Sequence, residues 1–163
     1  MDFNSIDDIS DHGFQGFVPI QKFMNPEGTL IVDNKKGVYF VLRISKEPPK
    51  FLEIGTGAIV PGKVTNDPIS VLESKWVDGT IVMYIGMAKI SLRKRLQKYM
   101  RFGMGLHSNH HGGRHIWQLA DSRELLVCWY VLPWDVDPET FEKAIISEFK
   151  EIYGKYPFAN RRL

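Results

Sequence analysis

Residues 82–101 constrain the fold of this chain more than any other stretch. The apolar run Ile81-Val82-Met83-Tyr84-Ile85 stops at Gly86, and a helix-forming segment dense in cations begins a few residues later. Asp78-Gly79 reads as a turn into the run, which predicts a strand over Thr80–Ile85. Ser91 is a plausible N-cap for a helix reaching about Phe102. At about 100° per residue, Leu92, Leu96, Tyr99 and Met100 share a stripe that should pack on a sheet. Lys94, Lys98 and Arg101 fall on the opposite side, where a solvated face is the ordinary reading for Lys94 and Lys98. Arg95 sits at the margin of the apolar stripe and is the better candidate for a phosphate ligand. A strand ending in tyrosine and glycine that feeds a basic helix suggests a surface for a polyanion.

Gly37–Ile44 and Leu125–Leu132 are two further strands, rich in β-branched and aromatic residues. A last helix is expected from Pro138 and Glu139 to about Tyr153, stopped by Gly154. Its wheel places Phe141, Ala144, Ile145, Phe149, Ile152 and Tyr153 inward. Glu142 lies within that stripe and Glu148 at its edge. A carboxylate aimed at a core is costly unless a cation or metal meets it, so Glu142 stands out. The alternative is an ordinary helix-start glutamate that reaches solvent or an arginine.

At 163 residues the chain is sized for one domain with a sizeable core. Its net charge is only +2, so any basic character is local. A single cysteine, Cys128, excludes an internal disulfide and a multi-cysteine zinc site. The acidic N-terminus lacks a signal-like apolar region and no run approaches membrane-spanning length, from which a soluble, cytoplasmic protein with no membrane partner is expected. Residues 1–35 read as an extension packing on the core, with at most a short helix among Phe14, Phe17, Ile20 and Phe23 and a small strand at Thr29–Val32. Residues 45–79 read as an insertion that is peripheral over 50–75. Within it, FLEI and AIV are expected to pair as a hairpin, and Val71–Trp76 to be helical.

Two stretches invite stronger readings. Gly57–Lys63 matches part of a phosphate-binding loop, but Val64 replaces the hydroxyl residue and no helix-forming run follows, so a Gly/Pro turn is preferred to nucleotide binding. The loop 103–118 holds His107, His110, His111, His115 and Arg114. Gly112-Gly113 breaks any regular ligand spacing, which argues against zinc. Glycines beside His111 and Arg114 instead suggest backbone amides near a phosphate, with an exposed turn as the alternative.

Taken in order, Gly37-Val38-Tyr39, Tyr84-Ile85-Gly86, Arg95, the third strand, Glu142 and Tyr156-Pro157-Phe158-Ala159-Asn160 resemble the GIY-YIG nuclease family over residues 36–163. The resemblance implies an α/β (α+β) domain with a small three-stranded antiparallel sheet flanked by helices. It also implies hydrolysis of nucleic-acid phosphodiesters with a divalent metal, Mg2+ or Mn2+. Tyr39 and Tyr84 match the motif tyrosines, Arg95 the helix arginine, Glu142 the metal-binding glutamate and Asn160 the asparagine after the last helix. Gly86 would allow close backbone approach, and Lys94, Lys98, Arg101, His111 and Arg114 would meet the nucleic acid, DNA ahead of RNA. The insertion is longer than the family's usual link between tyrosine strands, and Glu148 remains a rival for the metal position. Either tyrosine is open as the base, with Lys36 or a loop histidine to assist it. A catalytically silent nucleic-acid-binding relative is the alternative function.

Overall fold

The computed structural model describes residues 1–110 and 112–161. The apolar run of the sequence forms the strand β3 (Val82–Ala88), which continues through Gly86 for a full extra turn of the pleat. It pairs antiparallel with β2 (Gly37–Leu42), and β2 pairs antiparallel with β4 (Leu126–Val131). The six residues of β2 are all buried, as a central strand covered on both faces requires.

Two helices cover the sheet from opposite sides, and the alternation of side chains along the strands decides which residues each one meets. Tyr39, Val41 and Tyr84 face α4 (Leu92–Gly103), whose Leu92, Leu96, Tyr99 and Met100 are buried against them. Val38, Phe40, Leu42 and Ile85 face α5 (Pro138–Tyr153) through Ile145, Ile146 and Phe149. Ser91 caps α4 by accepting from the Lys94 amide at 3.2 Å, and Gly154 closes α5 at φ 73°. The expected inward stripe of α5 is shifted, since Ala144 and Ile152 are exposed while Ile146 is fully buried.

Among the described residues the sheet has four strands, in the order β1-β4-β2-β3, not three. The extra strand, β1 (Gln15–Pro19), comes from the N-terminal extension and pairs with β4 across a bulge between Gly16 and Val18. Gly16 and Pro19 look like strand breakers, but a bulge absorbs the first and an edge position tolerates the second. A helix α1 (Ile6–Asp11) precedes it, a single turn α2 (Ile20–Phe23) follows, and Pro26–Ile31 is a 3-10 turn where a small strand was expected. Phe3, Ile9, Phe14, Ile20 and Phe23 are buried, so the extension supplies core on both faces of the sheet.

The insertion departs from expectation in a related way. Its amides and carbonyls pair with residues 117–120 instead of with each other: Leu52 N–H donates to Gln118 O at 2.7 Å, and Thr56 N–H to Trp117 O at 3.0 Å. No hairpin forms among the described residues. The segment α3 (Ile69–Lys75) buries Leu72, and Trp76 and Phe51 pack edge-on at 5.9 Å beside Phe158. The expectation that 50–75 is wholly peripheral is therefore wrong, although Ile54, Ile59 and Val64 are exposed. No helix among the described residues is long and apolar enough to cross a membrane.

The outer edge of β3 is closed by the tail. Ala159 N–H donates to Met83 O at 2.8 Å. Asn160 then uses both ends of its amide on Ile85, accepting from the backbone N–H at 3.0 Å and donating to the carbonyl at 2.9 Å. A side-chain amide here takes the place of a missing neighbouring strand. Asn160→Ala should lower stability by about 2–4 kcal/mol, because both Ile85 groups lose a buried partner. A urea midpoint within error of the parent protein would refute this bracing role.

Candidate active site

The two motif tyrosines lie on the same face of adjacent strands. Tyr39 pairs across the ladder with Gly86 and Val41 with Tyr84, so the tyrosine rings meet diagonally, 5.9 Å apart at 69°. Gly86 is required by this approach, since a Cβ there would overlap the Tyr39 ring. Tyr99 of α4 completes a cluster of three rings, 5.8 Å from Tyr84, and its hydroxyl donates to Gly113 O at 2.8 Å.

Burial raises the Tyr39 hydroxyl well above its ordinary range, with Tyr84 adding to the shift and Arg95 opposing it. Tyr39 is fully enclosed, at 0 % exposure, and its hydroxyl has no partner within full hydrogen-bonding distance. The Tyr84 hydroxyl lies near enough to perturb it without making that bond. Tyr84, 6 % exposed, is pushed up to about 12 by burial and then by Glu142, while Arg95 pulls it down.

Arg95 and Glu142 come from helices on opposite faces of the sheet. They can approach each other only beyond β3, where the sheet ends. The first turn of α5 is located there by an exposed ion pair between Glu139 and Lys89, just past the end of β3, at 3.4 Å. Glu142, one turn further on, is half-buried, and burial raises its carboxyl to about 7 against the opposing pull of Arg95. Among the described residues neither side chain makes a hydrogen bond or ion pair, and Arg95 Nε is buried without a partner. Glu142 thus feels the charge of Arg95 without bonding to it, and perturbed groups of this kind mark a candidate functional site. Arg95 opens into a cleft of about 440 Å³ along Met87–Ser91, with Lys94 and Lys98 on its wall.

Other expected residues fall elsewhere. Arg101 is exposed on α4 but does not line the cleft. Arg114 is buried, with its guanidinium 4.6 Å from the Phe102 ring centre. His111 lies outside the described residues. His110 is buried and stacks on Tyr99 at 4.5 Å, His115 is buried against Asp67, and His107 is exposed. The loop is therefore no simple exposed turn, and its glycines serve packing: a Cβ on Gly112 would overlap the Tyr84 hydroxyl. Lys36 donates to two backbone carbonyls of the β4–α5 loop and assists neither tyrosine. Glu148, the rival glutamate, accepts from the Met1 amino group at 2.6 Å. Both ends of Asn160 brace β3, so it positions Tyr84 and Gly86 through Ile85. Sequence reasoning missed Lys89, whose place after the strand was its only signal.

A divalent metal fits this set in one limited way. No group of three or more His, Cys, Asp or Glu among the described residues could cage an ion. Magnesium, however, is commonly bound through one or two carboxylates with the remaining positions filled by water and substrate phosphate. Glu142, half-buried and unpaired, suits that arrangement. No family model, curated protein or solved structure matches this chain.

The burial of Glu142 has a consequence for stability in chelator. A carboxyl raised from 4.5 to about 7 favours its neutral form in the folded state. Its contribution is thus fully present below the unfolded value and is lost as pH rises through the folded one. Screening by solvent at this half-buried position leaves roughly 1 kcal/mol. Glu142→Gln should then melt about 2–4 °C higher than the parent at pH 8 and together with it at pH 4. Equal melting temperatures at both pH values would mean that the carboxyl is not desolvated.

Proposed function

We propose that this protein is a metal-dependent endonuclease of the GIY-YIG type, hydrolysing phosphodiester bonds of nucleic acid. The reading rests on one observation above the others. Arg95 and Glu142, opposite in charge and unbonded, reach the same edge of the sheet beside Tyr84, with lysines along the adjoining cleft.

In this reading the Arg95 guanidinium takes the phosphoryl oxygens and tightens on them as negative charge builds at phosphorus. The Tyr84 hydroxyl, more open than that of Tyr39, orients the attacking water in line with the ester oxygen that leaves. Tyr39 supports Tyr84 from beneath. Glu142 would hold Mg2+ or Mn2+, which supplies charge for the phosphate and for the departing oxygen. Lys94 and Lys98 would follow the backbone on either side of the scissile bond.

The raised hydroxyls of both tyrosines favour a second reading, a nucleic-acid-binding relative without catalysis. A phenol near 12 is a poor base at neutral pH, and the field of Arg95 is the main opposing influence. Metal-dependent cleavage separates the two. Over duplex, nicked, branched and single-stranded DNA and RNA, the parent protein should cut at least one substrate with Mg2+ or Mn2+ and none with a chelator. Glu142→Gln should abolish cutting while leaving the fold and nucleic-acid binding in place. Arg95→Ala should slow it by about 10²–10³, and Glu148→Gln should stay active. No cutting by the parent protein under any condition would sink the nuclease reading and leave the silent one.

Binding offers a separate check. Lys94→Ala and Lys98→Ala should each lower the salt slope of affinity by about one unit, whatever the sequence bound. Arg101→Ala, outside the cleft, should leave it unchanged. If Arg101 behaves like the two lysines, the nucleic acid lies along the outer face of α4 and not in the cleft.

A further inference from the structure

Among the described residues Trp134 is the most exposed large apolar side chain, at 89 %. It stands in the loop between β4 and α5, and that loop is held in place. The Lys36 ammonium donates to the carbonyls of Trp134 at 2.7 Å and Val136 at 2.8 Å. Asp137 caps α5 by accepting from the Thr140 amide at 2.9 Å. The indole is thus presented to water from a fixed support.

A lone exposed apolar residue needs no explanation. Trp134 is not alone, because Lys89 lines both the hollow beside it and the cleft of Arg95. Ile90, 83 % exposed, lies on the wall of that cleft next to Lys89. The two hollows differ in charge. In the one beside Trp134 the carboxylates of Asp135 and Asp137 offset Lys36 and Lys89, whereas Lys89, Lys94, Arg95 and Lys98 border the other with no carboxylate among them and attract phosphate. A nucleotide meeting this divided surface is sorted by its own chemistry, with the phosphate going to the cations and the neutral, flat base to the indole.

We infer that Trp134 is a stacking platform for an unpaired base beside the phosphate held in the Arg95 cleft. The substrate class is then single-stranded or locally unpaired nucleic acid, such as a flap, gap or loop. Inside an intact duplex both faces of each base are already covered by neighbours, and away from the two ends the indole has nothing to stack on. Stacking on an aromatic ring accepts every base, so this contact selects for strandedness and not for sequence. The inference rests on the nucleic-acid reading of the cleft.

The test is a fluorescence titration of the whole chain in chelator, where binding is seen without cutting. The probes are a short oligothymidylate and a blunt duplex of equal length at one salt concentration. Of the four tryptophans, Trp117 and Trp129 are buried and Trp76 is half-buried, so a stacked base quenches chiefly Trp134. The oligothymidylate should quench the parent protein. Trp134→Phe should keep its affinity and lose the quench. Trp134→Ala should bind the oligothymidylate about 5- to 100-fold more weakly, with duplex affinity changed less than about twofold.

Unchanged oligothymidylate affinity in Trp134→Ala, or an equal loss on both probes, overturns the inference. So does a shift from dimer to monomer on the same substitution, which would assign Trp134 to a contact between copies. Cleavage that needs Glu142 but ignores Trp134→Ala overturns this inference alone. Trp134-dependent binding by a protein that never cuts supports it while the nuclease reading fails. Binding to neither probe overturns both.

Discussion

The site depends on β3 being the last strand of the sheet. A central strand has neighbours on both sides and covers on both faces, so side chains from helices on opposite faces cannot meet across it. At an edge they can, and Glu142 of α5 feels the charge of Arg95 of α4 although the two helices cover opposite faces. An open edge is also a liability, with unpaired amides and carbonyls in a row. The tail resolves this without a fifth strand, because Ala159 and Asn160 satisfy Met83 and Ile85 while leaving the end of β3 clear. The same bonds hold Tyr84 and Gly86, the neighbours of Ile85, in register.

Around that edge, burial and charge act against each other. Desolvation pushes Tyr39, Tyr84 and Glu142 toward their neutral forms, and Arg95 is the cation that opposes it in each case. Removing Arg95 would therefore alter the ionisation of the tyrosine pair and of the carboxyl. Such coupling is common where burial is used to tune reactive groups. It also explains why the histidine loop is built as packing. Gly112, Gly113 and His110 cover Tyr84 and Tyr99 and keep water from the buried side of the cluster.

Much of this was legible in the chain. The strands at 37–42 and 126–131, the body of β3 up to Ile85, the Ser91 cap, the stop at Gly154 and the marginal place of Arg95 all follow from local pattern, since apolar periodicity and capping chemistry act over a few residues. The inward turn of Glu142 was readable from its wheel position. Less was legible where a segment takes its partners from far away. The strand β1 was hidden by Gly16 and Pro19, which break a strand only when no bulge or edge accommodates them. The insertion was misread as a hairpin because its hydrogen-bond partners lie at 117–120, some sixty residues on.

The sequence by itself determined which residues could carry charge next to a strand end, because residue type and spacing set that locally. Only the tertiary structure decided which of them meet. Asn160 became a brace because its two amide ends fell opposite the bare backbone of Ile85. Glu148 was claimed by Met1, and Lys36 by the carbonyls below Trp134. Each of these outcomes is a contact between residues more than seventy positions apart, and no local rule reports such a contact before the sheet order is known.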